Sequence, residues 1–162
     1  MKVIIVSDTH YHNECLNELQ NQYKDADYFV HCWDLEDNAD DYPGWLFVCG
    51  NCDYDPKLPQ YRILDLEGNH RILVMHSHNC KMYRYQSLIH DALIHHCDIV
   101  CFGHTHVAEV QREQNITLIN PGSIWFSRSK SPGSYAVLEI INKKIKVEIV
   151  YNDGKKEWFT KD

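Results

Sequence analysis

Five short polar clusters hold most of the residues that could do chemistry, and each follows directly on an apolar run. They are Asp8-Thr9-His10, His31-Cys32-Trp33-Asp34, Gly50-Asn51-Cys52-Asp53, His76-Ser77-His78 and Gly103-His104-Thr105-His106. A single Asp-x-His or His-x-His is more often structural than metal-binding. Five such clusters at strand ends, all rich in oxygen and imidazole donors, are hard to assign to chance. Carboxylate, carboxamide and imidazole together suit hard-to-borderline divalent ions such as Mn²⁺, Fe²⁺, Ni²⁺ or Zn²⁺. Two such ions would carry more positive charge than a pair of ligand carboxylates removes. The surplus would attract a phosphate and lower the pKa of a bridging water toward neutrality.

That surplus matters because the chain supplies little positive charge of its own. Its formal net charge is −7, and no block of Lys or Arg occurs anywhere. A broad surface for nucleic acid or anionic membrane is therefore not expected. If a phosphate ester is the substrate, bound metal must supply the charge that holds it. Seven cysteines, an odd number, are scattered through apparent strands and helices, which is unlike a disulfide-stapled secreted scaffold. The apolar run near the N-terminus ends at Asp8, too short for a signal segment, and no later stretch could span a bilayer. A reducing cytoplasm is the expected setting.

The elements that must position these clusters can be read from hydrophobic spacing. The 162 residues suit one domain spanning 1–162, with 155–162 expected to be a frayed charged tail. Residues 2–6, 28–32, 46–49 and 98–102 are short apolar runs typical of strands buried on both faces. Asn13 reads as a helix cap ahead of Leu16, Leu19 and Tyr23, which share one face. An acidic loop covers 34–41. Glu67-Gly68-Asn69 marks a hairpin between 61–66 and 71–76. A helix is expected over 85–96, followed by strands at 107–112, 116–120, 135–141 and 144–151. Strands alternate with helices early and hairpins dominate late. The expected fold is α/β, two packed mixed β-sheets flanked by helices, with ligands at the carboxyl ends of the strands.

The five clusters, in this order and spacing, resemble the signature of calcineurin-like metallophosphoesterases, and especially the small YfcE-type phosphodiesterases. Asn120-Pro121-Gly122-Ser123 and Arg128 add to the likeness, which runs from Lys2 to about Tyr151. The resemblance implies a four-layer α/β/β/α sandwich and a dinuclear centre holding two divalent ions, with Mn²⁺ favoured and Ni²⁺, Fe²⁺ or Zn²⁺ as alternatives. Asp8, His10 and His106 would hold the first ion, and Asn51, His76 and His104 the second. Asp34 would bridge them. Hydroxide held between the ions would attack a small phosphate ester, with diesters favoured over monoesters. The retromer subunit that shares this fold works as a protein-binding scaffold, so a non-catalytic reading stands beside the enzymatic one.

Three positions depart from the pattern. Cys52 stands where many members have a His thought to protonate the leaving group. Trp33 stands where Gly usually precedes the bridging Asp, and it could narrow the pocket, strain Asp34 or simply pack. Ser77 replaces a common Gly. His12 and His78 adjoin proposed ligands and could touch substrate, support a ligand or face solvent. Arg128 could grip a phosphate oxygen with its planar fork or lie free on the surface. The Cys49-x-x-Cys52 pair does not open a helix and has no second pair, so neither a redox motif nor a zinc ribbon is expected. Substrate, native metal and oligomeric state are not legible in the sequence.

Overall fold

Val3, Ile4, Ile5 and Val6 are completely buried, which is what a β-branched run between two apolar layers must be. They form β1 (Lys2–Val6), the centre of the first sheet in a computed structural model that describes residues 1–53, 55–80 and 84–160. β2 (Tyr28–His31) and β3 (Trp45–Phe47) lie parallel to it on one side. On the other side β9 (Ser134–Ile141), β10 (Lys144–Tyr151) and β11 (Lys156–Thr160) add an antiparallel meander. The six-stranded order is β11-β10-β9-β1-β2-β3.

The second sheet has five strands in the order β4-β5-β6-β8-β7. β5 (Arg71–Met75), β6 (Ile99–Cys101) and β8 (Ile116–Pro121) are parallel, and β4 (Tyr61–Asp65) and β7 (Ala108–Glu113) close the edges antiparallel. The β4–β5 hairpin turns through Gly68 and Asn69, both with positive φ, as the Glu67-Gly68-Asn69 signal requires. Strand alternation divides the side chains of this sheet. Ile72, Val74, Ile99, Cys101 and Ile119 join the core shared with the first sheet. Leu73, Val100 and Leu118 point the other way and meet Leu88, Ile89 and Ala92 of α2 (Arg84–Ile94). α1 (Glu14–Gln22) lies along the six-stranded sheet through Leu16 and Leu19, and Tyr23 Oη meets Tyr135 Oη at 2.9 Å beyond its end. The result is an α/β sandwich of two mixed sheets with a helix on each. No helix among the described residues is long and apolar enough to cross a membrane.

Two expectations are corrected. The segment read as a frayed tail supplies β11, paired along β10 from Lys146↔Thr160 to Val150↔Lys156. Its lysines and glutamate hid the two residues that anchor it. Phe159 packs on the core, and the Trp158 ring carries Lys146 Nζ at 3.6 Å from its centroid. Residues 161–162 of that tail, and Tyr54 of the expected turn 53–56, lie outside the described residues. Asn13 occupies the N-cap position of α1, but its side chain makes no capping bond. It accepts from Thr9 Oγ1 at 2.6 Å and donates to Leu35 O and Asp37, tying the loops after β1 and β2 together.

That tie continues into His31, which is fully buried. Trp33 N–H donates to its Nδ1 at 3.0 Å, so its Nε2–H donates to Thr9 Oγ1 at 3.1 Å. Burial pushes the imidazole pKa down to about 3. A depressed folded-state value means that neutral His31 contributes stability above the unfolded pKa of about 6.5, and the contribution is lost as pH falls from there toward 3. Between pH 7.5 and pH 5 this one group is expected to remove about 2 kcal/mol of unfolding free energy. Denaturant melts of the native chain and a His31→Asn variant measure the difference, and a His31 proton resonance titrating near pH 6.5 would contradict it.

Candidate metal centre

The five clusters leave the carboxyl ends of β1, β2, β3, β5 and β6, so the topology gathers them at one end of the sandwich. The loops after β1 and β2 are bonded side by side, with Asp8 N–H to Trp33 O at 2.7 Å, His10 N–H to Asp34 O at 3.0 Å and Tyr11 N–H to Leu35 O at 3.2 Å. Asp8, His10, Trp33, Asp34, His104 and His106 all have positive φ, a conformation unfavourable for residues with a Cβ. Such backbone persists only where the surroundings over-determine it. Two glycines are required by close approach to the carboxylates. A Cβ at Gly50 would sit 2.3 Å from Asp34 Oδ1, and one at Gly103 would sit 2.8 Å from Asp8 Oδ2 and 2.0 Å from Ser7 Oγ.

Two donor groups result. Asp8, His10 and His106 form the first, and Asp34, His76 and His104 the second. In the first group, His106 Nδ1–H donates to Phe126 O at 2.8 Å and His10 Nδ1 is hydrogen-bonded to the Glu36 carboxylate. Both rings therefore turn a lone pair on Nε2 inward, and the two Nε2 atoms face each other at 3.2 Å. Asp8 Oδ1 lies 3.3 Å from His106 Nε2, yet it is buried with no hydrogen-bond partner. Three electron-rich atoms thus converge with no proton between them, which a bound cation would satisfy and water-excluding protein alone does not. In the second group, His76 Nδ1–H donates to Cys32 O at 2.9 Å. Its Nε2 then faces Asn51 Oδ1 at 3.1 Å and Asp34 Oδ2 at 3.3 Å. The residues present fit divalent metal at both groups.

The carboxylates are held ionised. Burial alone would raise both, but with no cation bound a proton on His106 or His76 lowers them, helped at Asp8 by the Ser7 hydroxyl and at Asp34 by the Cys52 N–H. Asp34 falls well below the usual carboxylate range. Burial, and then the charge of His76, lowers His104. Burial pushes Asp53 up to about 7, and its Oδ1 accepts from Glu36 N–H at 2.8 Å. His10, Glu36 and Cys52 also lie close enough to form a donor set. His10 already commits Nδ1 to Glu36 and Nε2 to the first group, and the Cys52 thiol is pushed up to about 12 by burial and Asp34. Those three residues are better understood as the support of the first group than as a third site.

The structure brings all seven expected ligands to one end of the fold. Cys52 is half-buried beside Asp34, its N–H donating to Asp34 Oδ1 at 3.1 Å. His78 lies beside the second group, with ring centroids 5.6 Å from His76 and 6.5 Å from His104. His12 is not in either donor group; its ring rests between Trp125 and Phe126. Arg128 is exposed, and its N–H donates to His106 O at 3.1 Å. Trp33 is completely buried, edge-on to Phe47 at 5.2 Å, and it also lines a cavity with Tyr11, Glu36, Cys52 and Asp53. Asn120-Pro121-Gly122-Ser123 acts through side chains rather than amides. Asn120 Nδ2 donates to Gly103 O and Thr105 Oγ1, and Ser123 Oγ donates to Asp8 O at 2.7 Å. Glu36 and Phe126 were not singled out from sequence. A carboxylate two residues after Asp34 was the available signal for Glu36, but nothing in the chain order says which imidazole it meets.

Comparison with known proteins adds an independent line. Residues 1–143 match the calcineurin-like phosphoesterase superfamily domain. A Bacillus subtilis protein named probable metallophosphoesterase YsnB is 32% identical over 153 residues, covering 88% of this chain and 86% of the relative. A crystal structure of a conserved Streptococcus pneumoniae protein, described as a predicted phosphoesterase, superposes with a TM-score of 0.88 at 27% identity over 99% of this chain and 97% of the other. At lower identity the likeness is one of fold. The Escherichia coli phosphoesterase YfcE gives a TM-score of 0.74 at 20% identity over 100% of both chains. Entamoeba histolytica Vps29 complexed with zinc gives 0.77 at 20% identity over 100% of this chain and 99% of the other.

Two outcomes test the site. Glu36→Gln keeps an acceptor for His10 but removes its charge, so divalent-ion affinity at the Asp8–His10–His106 group should fall by about 10- to 100-fold while the other group is unaffected. Calorimetric titration of the metal-free protein with Co²⁺ reads this as one weakened phase of two, and equal weakening of both would contradict it. Trp33→Gly relieves a left-handed residue, worth roughly 1–3 kcal/mol, but deletes a buried indole worth about 3–5 kcal/mol. Packing outweighs strain, and the variant should be less stable by about 2 kcal/mol in denaturant melts; a more stable variant would show that strain dominates.

Proposed function

The chain belongs to the calcineurin-like phosphoesterase superfamily, and on that premise we propose that it hydrolyses phosphodiesters at a dinuclear centre bridged by Asp34. The observation that carries this reading is the convergence of His10 Nε2, His106 Nε2 and the unpartnered Asp8 Oδ1 beside a second donor group built on Asp34 and His76. Divalent ions, when bound, supply the positive charge for a phosphate and the Lewis acidity that activates water for in-line displacement.

The rest is the work of the chain. Phe126 O, Glu36 and Cys32 O fix the tautomers of His106, His10 and His76, so that each presents Nε2 without rearrangement. Asp34, in the loop after β2 whose backbone accepts from His10 N–H of the loop after β1, is the residue proposed to serve both groups. Arg128 opens onto the first group and offers a planar fork to a non-reacting phosphate oxygen. Burial and the neighbouring Asp34 carboxylate push the Cys52 thiol up to about 12, which disfavours it as the nucleophile in this reading. His78 stands beside the second group, where its imidazole would be placed to donate a proton to a departing alkoxide, whereas His104 belongs to the donor group itself.

The expected outcome is turnover of bis(p-nitrophenyl) phosphate that vanishes on metal removal and returns with Mn²⁺. Asp34→Asn and His76→Ala should lower it by at least about a hundredfold, whereas Cys52→Ser should stay within about threefold of the native rate. Faster turnover of p-nitrophenyl phosphate would instead make the protein a phosphomonoesterase. Full metal occupancy with no turnover of either ester would sink the enzymatic reading and leave a scaffold.

A further inference from the structure

A cavity of about 420 Å³ opens beside the first donor group, lined by His10, His106, Phe126, Ser127 and Arg128. Its apolar wall is unusual for a surface. Phe126 is 44% exposed, and Trp125 next to it is 52% exposed. Neither ring is left there by a loose loop. Phe126 N–H donates to Ser123 Oγ at 2.9 Å, Phe126 O accepts from His106 Nδ1, and Arg128 N–H donates to His106 O. Trp125 Nε1–H donates to His12 O at 3.0 Å, and Asn152 Nδ2 donates to Ile124 O at 2.6 Å. The segment is therefore fastened to His106 while it leaves both rings partly exposed, with the His12 ring against them at 5.9 and 5.4 Å between centroids. Phe126 stands edge-on to His10 with centroids 5.7 Å apart, so its position relative to the ligands is set.

We propose that this cleft is the subsite for a planar aromatic substituent of the substrate, a nucleobase or a simple aryl group, stacked on Phe126, next to the exposed Trp125, while Arg128 holds the phosphate. The inference rests on the phosphodiesterase reading and names the chemical class of one ester arm. An aromatic wall with an adjacent guanidinium matches a ring joined to a phosphate, since stacking is indifferent to which ring is present and the fork takes the anion. Charge fixes the direction. A second cavity, reached past the His10–Glu36 pair, carries Glu36, Asp37, Asp53 and Asp55, which repel an anionic arm, whereas the Phe126 side carries Arg128. The substrate lies with its ring over Phe126 and its other arm toward the acidic flank.

Isothermal titration of the Mn²⁺-loaded protein with adenosine 5′-monophosphate, phenyl phosphate and ribose 5-phosphate tests this, with bis(p-nitrophenyl) phosphate turnover measured on the same sample. The ring-bearing monoesters should bind about tenfold tighter than ribose 5-phosphate, the order expected of one stacked ring. Phe126→Leu, which keeps apolar bulk without a ring, and Phe126→Ala should each reduce that preference to within about twofold. Arg128→Ala should weaken all three alike. A preference shared by phenyl phosphate assigns the cleft to aryl groups in general, and one confined to the adenosine ester assigns it to a nucleobase. Equal affinity for all three, or a preference that survives both Phe126 variants and Trp125→Ala, overturns the proposal. Turnover without ring preference removes this inference alone, and ring preference without turnover removes the phosphodiesterase reading alone.

Discussion

Two buried carboxylates, Asp8 and Asp34, are the constraint on which the rest of this molecule depends. Both sit at the ends of parallel strands, and Asp8 has no exposed surface at all. An ionised group in such a place is tolerated only with partners on every side. The chain supplies them as far as it can. Ser7 Oγ and His104 N–H serve Asp8 Oδ2, Cys52 N–H serves Asp34 Oδ1, and imidazoles face the remaining oxygens. Making room for this arrangement explains Gly50 and Gly103, and bending the loops around it explains the left-handed backbone at so many ligand positions. The site is locally strained, and the buried strands behind it hold it in place.

The same constraint reaches into the core. His31 and Asn13 are polar, buried and outside the donor groups, and their hydrogen bonds lock the loops after β1 and β2 to one another. A neutral His31 is part of that lock, accepting from Trp33 and donating to Thr9. Outward of the ligands, backbone carbonyls and Glu36 orient the imidazoles. The polar layers around the carboxylates therefore form a continuous support from core to rim, which is what a preorganised metal site requires.

Family membership and geometry answer different questions. The match over residues 1–143 and the likeness to metallophosphoesterases establish the kind of protein. The fold alone would not, since YfcE and Vps29 resemble it about equally well. Beside the donor groups of this chain, Phe126 and Arg128 line one cavity and four carboxylates line another.

Much of this was legible in the chain itself. Runs such as Val3–Val6 declare buried strands because β-branched side chains in unbroken sequence have no polar face to expose, and Gly68 with Asn69 declares a hairpin because the turn needs positive φ. The five donor clusters were legible for a related reason: donors of the right hardness recur at the carboxyl ends of strands, where a loop is free to present them, and the family resemblance then named seven candidate ligands among them. β11 was not, because its pairing with β10 overrides a composition that alone favours solvent. Nor could residue order show that Asn13 would tie two loops together rather than cap its helix, that Glu36 would meet His10, or that Trp33 would turn inward onto Phe47. Each of these depends on what lies across space from it. Local periodicity determined the elements, and only the packing of one sheet against another decided which polar atoms met, which went unpartnered and which rings were left exposed beside the donor groups.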